Sequence, residues 1–209
     1  HNMPVEDLTV VMRRMAAVEK YFASRDDEKW YVSIIKNHGK LVGGSLAHGH
    51  QQIIAGHKKP RTVELHERFE ADHSTVFSQY LLDKLAGEHV VKDYGPAVLV
   101  VPYFMKRPYE LYLLIRDTKK SFLYELDDDE VASCAEAWHD ALSAYHRLFH
   151  DIGRELAFNV IVHNGAGAGL YVEFLPYTQE MGGFEHLGLY CSQGSPDETA
   201  GILREYIRG

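Results

Sequence analysis

Apolar residues recur at helical spacing over the first twenty positions. Leu8, Val11, Met12, Met15, Val18 and Phe22 fall three and four residues apart, with Arg13, Arg14, Glu19 and Lys20 between them. Pro4, Glu6 and Asp7 suit the opening turn, where proline is tolerated and acids complement the helix dipole. The pattern then changes period. Trp30 to Lys36 is aromatic and β-branched and predicts a strand, followed by a turn rich in glycine from Asn37 to Ser45. A second strand is predicted over 46–55, and a helix over 62–86 with Val63, Phe69, Phe77, Tyr80, Leu81 and Leu85 facing a core.

Further along, Ala97 to Phe104 and Glu110 to Ile115 predict two strands around a Lys106-Arg107-Pro108 turn. Asp127 to Glu130 opens a helix whose apolar stripe is Val131, Cys134, Trp138, Ala141, Tyr145, Leu148 and Phe149. Strands over 158–162 and 170–175 flank the glycine turn Asn164 to Gly169. Ser195-Pro196-Asp197-Glu198 starts the last helix as a capping box with proline in its first turn. Tyr31 to Asn37 overlays Phe158 to Asn164 with similar neighbours, so the chain reads as a divergent repeat. The division falls at 1–88 and 89–209, and the first unit lacks the leading strand pair that the second possesses.

Composition narrows the function classes. The 209 residues are 45% hydrophobic and 25% charged, as expected of a packed globular chain. A formal net charge of −8 argues against nucleic acid or an anionic membrane as the main partner. No apolar run is long enough to predict a membrane span, and the two distant cysteines, Cys134 and Cys191, suggest no disulfide framework. A cytoplasmic location is therefore the expectation. Cys134 in its apolar stripe reads as a small core residue.

The 13 histidines are a high count, and the strongest chemical signal lies among them, in Gly43-Gly44-Ser45-Leu46-Ala47-His48-Gly49-His50-Gln51-Gln52. On a strand, His48, His50 and Gln52 would share one face. Successive amides of a Gly/Ser turn can cradle an anion. A neutral imidazole is a competent nucleophile toward phosphorus when its other ring nitrogen is held, and a glutamine can donate to a phosphate oxygen as charge develops. The alternative is an exposed polar strand face, or incidental metal binding with His38, His57 and His66 close in sequence. Lys58, Lys59 and Arg61 read as a solvated loop that could attract an anion.

Asn37-His38-Gly39 followed by Gly43-Gly44-Ser45 and His48-Gly49-His50-Gln51-Gln52 resembles the active-site segment of galactose-1-phosphate uridylyltransferases, in the histidine-triad superfamily. The resemblance takes in His1-Asn2-Met3-Pro4, Val101-Pro102-Tyr103, Arg107-Pro108-Tyr109-Glu110, Gly183-Phe184-Glu185 and the helix from Ser195 to Arg204. It implies an α+β fold of two histidine-triad-like units, each an antiparallel sheet with packed helices, the first truncated. The implied activity is transfer of UMP or another nucleoside monophosphate between a nucleotide sugar and a hexose 1-phosphate. The implied roles are His50 as nucleophile, with Gln52, Asn37 and Ser45 on the phosphates and Gly39, Gly43 and Gly44 shaping the loop. Glu185 resembles a hexose contact, against a reading as a turn-stabilising acid. His48 and His1 match two ligands of a structural zinc whose other ligands lie, in the family, in a segment preceding residue 1.

Gly169 and Tyr171 stand where many members carry a histidine pair of a second metal site, so that site is expected to be lost and His163 to be a hydrogen-bonded strand-end residue. The Arg107-Pro108-Tyr109-Glu110 stretch is expected to be structural. A homodimer is also implied. Two rival functions stay open: a nucleotide-sugar or dinucleoside-polyphosphate phosphorylase or hydrolase on the same scaffold, because the His50/Gln52 pattern is shared, and a non-catalytic nucleotide- or sugar-binding module.

Overall fold

The computed structural model describes residues 3–25, 29–46, 48–85 and 87–208. Among these residues seven strands form one antiparallel sheet: β1 (Tyr31–His38), β2 (Gln52–Gly56), β3 (Val90–Asp93), β4 (Ala97–Val100), β5 (Leu111–Ile115), β6 (Phe158–His163) and β7 (Tyr171–Pro176). Their order is β2-β1-β6-β7-β5-β4-β3. The two segments that resemble one another therefore share a single sheet, joined where β1 lies against β6 with Ile35 opposite Ile161 and Asn37 opposite Asn159.

Strand alternation gives this sheet two unlike faces. Ile34, Leu99, Leu113, Val160, Val172 and Phe174 point into the main core beneath α1 (Val5–Ala23) and α4 (Asp128–Asp151). Leu8, Met12 and Met15 of α1 and Trp138, Ala141 and Tyr145 of α4 fill it, the stripes expected from their spacing. Each large apolar side chain so buried contributes about 1.5–3 kcal/mol. At the start of α4, the Asp127 carboxylate accepts from Glu130 N at 2.9 Å and the Glu130 carboxylate accepts from Asp127 N at 2.9 Å. That reciprocal cap satisfies two donors that the first turn leaves open. Helix α6 (Pro196–Arg208) closes this side against α4 and β3.

On the opposite face Val98, Val100, Tyr112, Leu114 and Tyr171 pack under Leu81 and Leu85. Here the expected helix over 62–86 is two helices, α2 (Arg61–His73) and α3 (Phe77–Lys84). Ser74 ends α2 in the left-handed region at φ 55°, and the first amides of α3 bind outside the helix, Phe77 N to Gly167 O at 2.8 Å and Ser78 N to Ala168 O at 2.9 Å. The elbow thus docks on the second glycine turn, where a β-carbon on Gly169 would lie 2.1 Å from Ser78 Oγ.

Two further elements depart from the sequence pattern. β3 is not among the expected strands: it has only four residues, and its register shifts between Val90 and Lys92. The strand expected over 46–55 begins only at Gln52, opposite Ile35, because β1 ends at His38 and Gly39 turns the chain away. His48 and His50 consequently lie on a loop and not on a strand face with Gln52. The short α5 (Gly183–His186) follows β7. No helix among the described residues is long and apolar enough to cross a membrane.

Candidate active site

The loop between β1 and β2 is shaped by glycines where side chains do not fit. Gly39 has φ 90° and ψ 147°, and a β-carbon there would come within 2.8 Å of Leu156 O and 2.9 Å of Ala157 Cβ. A single 3-10 turn over Lys40–Val42 ends at Gly43, which is left-handed with φ 84° and ψ 13°. Gly44 N then donates to Gly39 O at 2.9 Å, closing the loop on itself. These contacts set Ser45, exposed, at the start of the segment that carries the two histidines.

His50 is half-buried and His48 exposed, with ring centres 6.1 Å apart. Nδ1 of His50 lies 3.1 Å from the carbonyl oxygen of His48. A carbonyl only accepts, so Nδ1 carries a proton, and the tautomer this selects is the one with its lone pair on Nε2. The loop backbone is held from below: Lys36 Nζ donates to His50 O at 3.2 Å, and burial lowers the pKa of that ammonium. His38 stacks on Phe158 with centres 4.9 Å apart, and burial lowers its pKa as well. It stands between two open cavities of about 490 and 480 Å³, one reaching Lys36, Gly49 and Gln51, the other Gly39, Gly44 and Ser45.

Asn37 and Gln52 meet on the face of the sheet opposite the main core. Asn37 Nδ2 donates to Gln52 Oε1 at 3.1 Å. Asn159 of β6, which the motif pattern does not single out, donates through Nδ2 to Asn37 Oδ1 at 2.7 Å and to Val42 O at 3.2 Å. A signal for it does exist: an amide at an alternate position of the apolar run Phe158 to Val162.

Farther along the same face lies a second group of polar side chains. The Glu173 carboxylate accepts from the Lys106 ammonium and, at 2.7 Å, from His163 Nε2. His66 Nε2 lies 3.0 Å from the Tyr171 hydroxyl, and Tyr171 stacks on His163 with centres 4.4 Å apart. Burial would raise the Glu173 pKa, but the His163 hydrogen bond and the Lys106 charge outweigh it and hold the carboxyl well below its usual range. Burial, reinforced by the charge of Glu173, pushes neighbouring Glu110 up to about 8. Burial drives His66 down to about 4, so its ring is neutral. His163 is thus the hydrogen-bonded strand-end residue that the sequence leads one to expect. Lys106, Glu110 and His66 carry no such signal, because only the folded sheet brings them together.

Glu185 lies on α5, where its carboxylate accepts from Gly182 N at 2.8 Å and backbone hydrogen bonds hold its pKa low. His1 lies outside the described residues. Among the described residues no three His, Cys, Asp or Glu side chains gather into a metal-holding group, and of the implied zinc pair only His48 lies among them.

No protein-family model matches the chain. In sequence it is similar to an ADP-glucose phosphorylase of Arabidopsis thaliana, 23% identical over 186 residues that cover 84% of this chain and 52% of that protein. It is likewise similar to a galactose-1-phosphate uridylyltransferase of Haemophilus influenzae, 28% identical over 195 residues covering 85% and 54%. The chain thus spans about half the length of these curated relatives. In structure it matches a uridylyltransferase with a TM-score of 0.85 at 22% identity, over 99% of this chain and 69% of the other. An Arabidopsis thaliana ADP-glucose phosphorylase solved with bound ADP-glucose matches with a TM-score of 0.78 at 19% identity, over 98% and 70%.

Proposed function

We propose that this chain, a relative of the galactose-1-phosphate uridylyltransferases in the histidine-triad superfamily, transfers a nucleoside monophosphate between a nucleotide sugar and a phosphate-bearing acceptor. The observation that carries this reading is the His50 ring, whose Nδ1 is tied to the His48 carbonyl two residues before Gln52. Nε2 attacks the α-phosphorus, the bond from phosphorus to the bridging oxygen breaks, and the sugar 1-phosphate leaves. The nucleotide is then held on His50 through an N–P bond. A phosphate oxygen of the incoming acceptor attacks the same phosphorus, the N–P bond breaks, and His50 is restored. Charge developing on the non-bridging oxygens is met by the Gln52 amide and by Ser45 at the end of the glycine loop. Glu185 as a hexose contact, zinc at His48 with His1, and a homodimer belong to the same reading as further proposals.

UDP-glucose and ADP-glucose labelled in the nucleoside phosphate test it. The protein should acquire an acid-labile, base-stable label, and His50→Asn should lose both the label and turnover. Full transfer activity in His50→Asn would refute the assignment. The similarity to an ADP-glucose phosphorylase favours a second reading, in which inorganic phosphate replaces the hexose 1-phosphate as acceptor. Identifying the products formed with each acceptor separates the two. Ligand binding without any exchange of label would point to a non-catalytic module.

A further inference from the structure

We infer that Asn159 is a positioning residue that sets which end of the Gln52 amide faces the substrate. The direction follows from one group that has no choice. Val42 O is a backbone carbonyl and only accepts, so the end of the Asn159 amide 3.2 Å from it is the NH2 group. The second proton of that NH2 points to Asn37 at 2.7 Å, and its partner there is Oδ1. Asn37 then turns Nδ2 toward Gln52, and the atom it meets at 3.1 Å is Oε1. With Oε1 occupied inward, the Nε2 donors of Gln52 are left for an anion. Three amides in series thus pass the polarity of one carbonyl, in the 3-10 turn of the glycine loop, to the far side of the loop.

Asn37 and Asn159 face each other across the β1/β6 seam, in directly opposed register. All three amides are half-buried on the face away from the main core, where a reversed amide would cost a lost hydrogen bond and set donor against donor or acceptor against acceptor. The task of Gln52 as a phosphate donor is taken from the nucleotidyl-transfer reading. The direction of the amide series does not depend on it.

Asn159→Asp tests the series because it replaces the NH2 with an acceptor of the same shape. Asn37 must then reverse, and Gln52 after it, presenting Oε1 to the phosphate. At pH 8 the expected result is a fall of about 100-fold in kcat with label transfer slowed alike, the scale of losing one preorganised donor. Protonating the new carboxyl restores a donor, so the ratio of variant to wild-type activity should rise as the pH falls. A merely structural role predicts no such recovery. Asn159→Ala, which leaves Asn37 unbiased, should lose about tenfold with no pH recovery, and it also reads the series should the aspartate variant fail to fold. Wild-type activity in either variant, or a loss in Asn159→Asp that is the same at every pH, overturns the inference.

If the wild-type protein transfers no nucleotide, the reading of Gln52 fails and the series is judged by NMR. The Gln52 side-chain amide protons should exchange with water freely in wild type and more slowly in Asn159→Asp at pH 8. For Asn159→Ala at the same pH, exchange between the wild-type and Asn159→Asp rates supports the series. Equal exchange in wild type and Asn159→Asp, or exchange in Asn159→Ala at or outside either of those two rates, overturns it.

Discussion

Gly39→Ala should destabilise the fold and disable the loop at once, and Gly153 supplies a control of matching chemistry. At Gly39 the backbone sits at φ 90° and ψ 147°, a region open to glycine alone, at about 1–3 kcal/mol for another residue. The added methyl would also stand 2.8 Å from Leu156 O and 2.9 Å from Ala157 Cβ. Both neighbours belong to the chain entering β6 and have little room to give, which adds about 1–3 kcal/mol of overpacking. Restricting the unfolded chain returns about 0.4–1 kcal/mol. The net expectation is a loss of roughly 1–5 kcal/mol, a large share of the roughly 5–15 kcal/mol that hold a domain together. Gly153 follows α4 with φ 65°, where Arg154 N reaches back to Phe149 O at 3.0 Å and an added β-carbon would meet nothing within 4 Å. There only the left-handed backbone penalty of about 1–2 kcal/mol applies, less the same unfolded-state gain. Urea unfolding of both variants, with unchanged slope, gives the difference directly. Gly39→Ala should be the less stable by about 2 kcal/mol and should also lose transfer activity, because Gly44 packs against the backbone of Gly39. Equal stabilities within about 0.5 kcal/mol, near the spread of ordinary surface changes, would refute the close-approach reasoning.

Other expectations test the remaining parts of the fold. Burial raises the Glu19 pKa from 4.5 to about 7, against hydrogen bonds from Asn164 and the Tyr124 amide. Glu19 binds its proton more tightly folded than unfolded, so stability falls as pH rises from 4.5 to about 7, by about 3 kcal/mol in all. Denaturant titrations at several pH values should show that slope in wild type and not in Glu19→Gln. Glu173→Gln leaves the half-buried Lys106 ammonium facing a neutral amide, and should cost about 1–3 kcal/mol by the same assay. A loss below about 1 kcal/mol would show that water or another group satisfies the cation. Cys134 is buried, its thiol pushed up to about 12 by burial, whereas Cys191 is exposed. A thiol reagent should therefore modify one cysteine of the native protein and two after unfolding, and fast modification of both in the native state would contradict the core position of Cys134.

Local pattern alone carries much of this molecule. The helices α1, α4 and α6 are legible because an apolar stripe, an acidic opening turn or a proline-led start is written within a few consecutive residues. The strands β1, β6 and β7 are legible for the same reason. Glycine spacing also announces the loop, although it does not reveal that His48 and His50 leave the strand. What nearby residues do not encode is which strand lies beside which. Asn159 is 122 positions from Asn37, and only the pairing of β1 with β6 makes them partners. The same holds for the elbow between α2 and α3, whose free amides are answered by carbonyls of a distant glycine turn. It holds too for Glu173, whose charge is kept by Lys106 and His163 from two other segments. Periodicity records which side of an element avoids water. The direction of an amide or the ionisation of a buried acid depends on atoms that only the closed sheet brings within a hydrogen bond's reach.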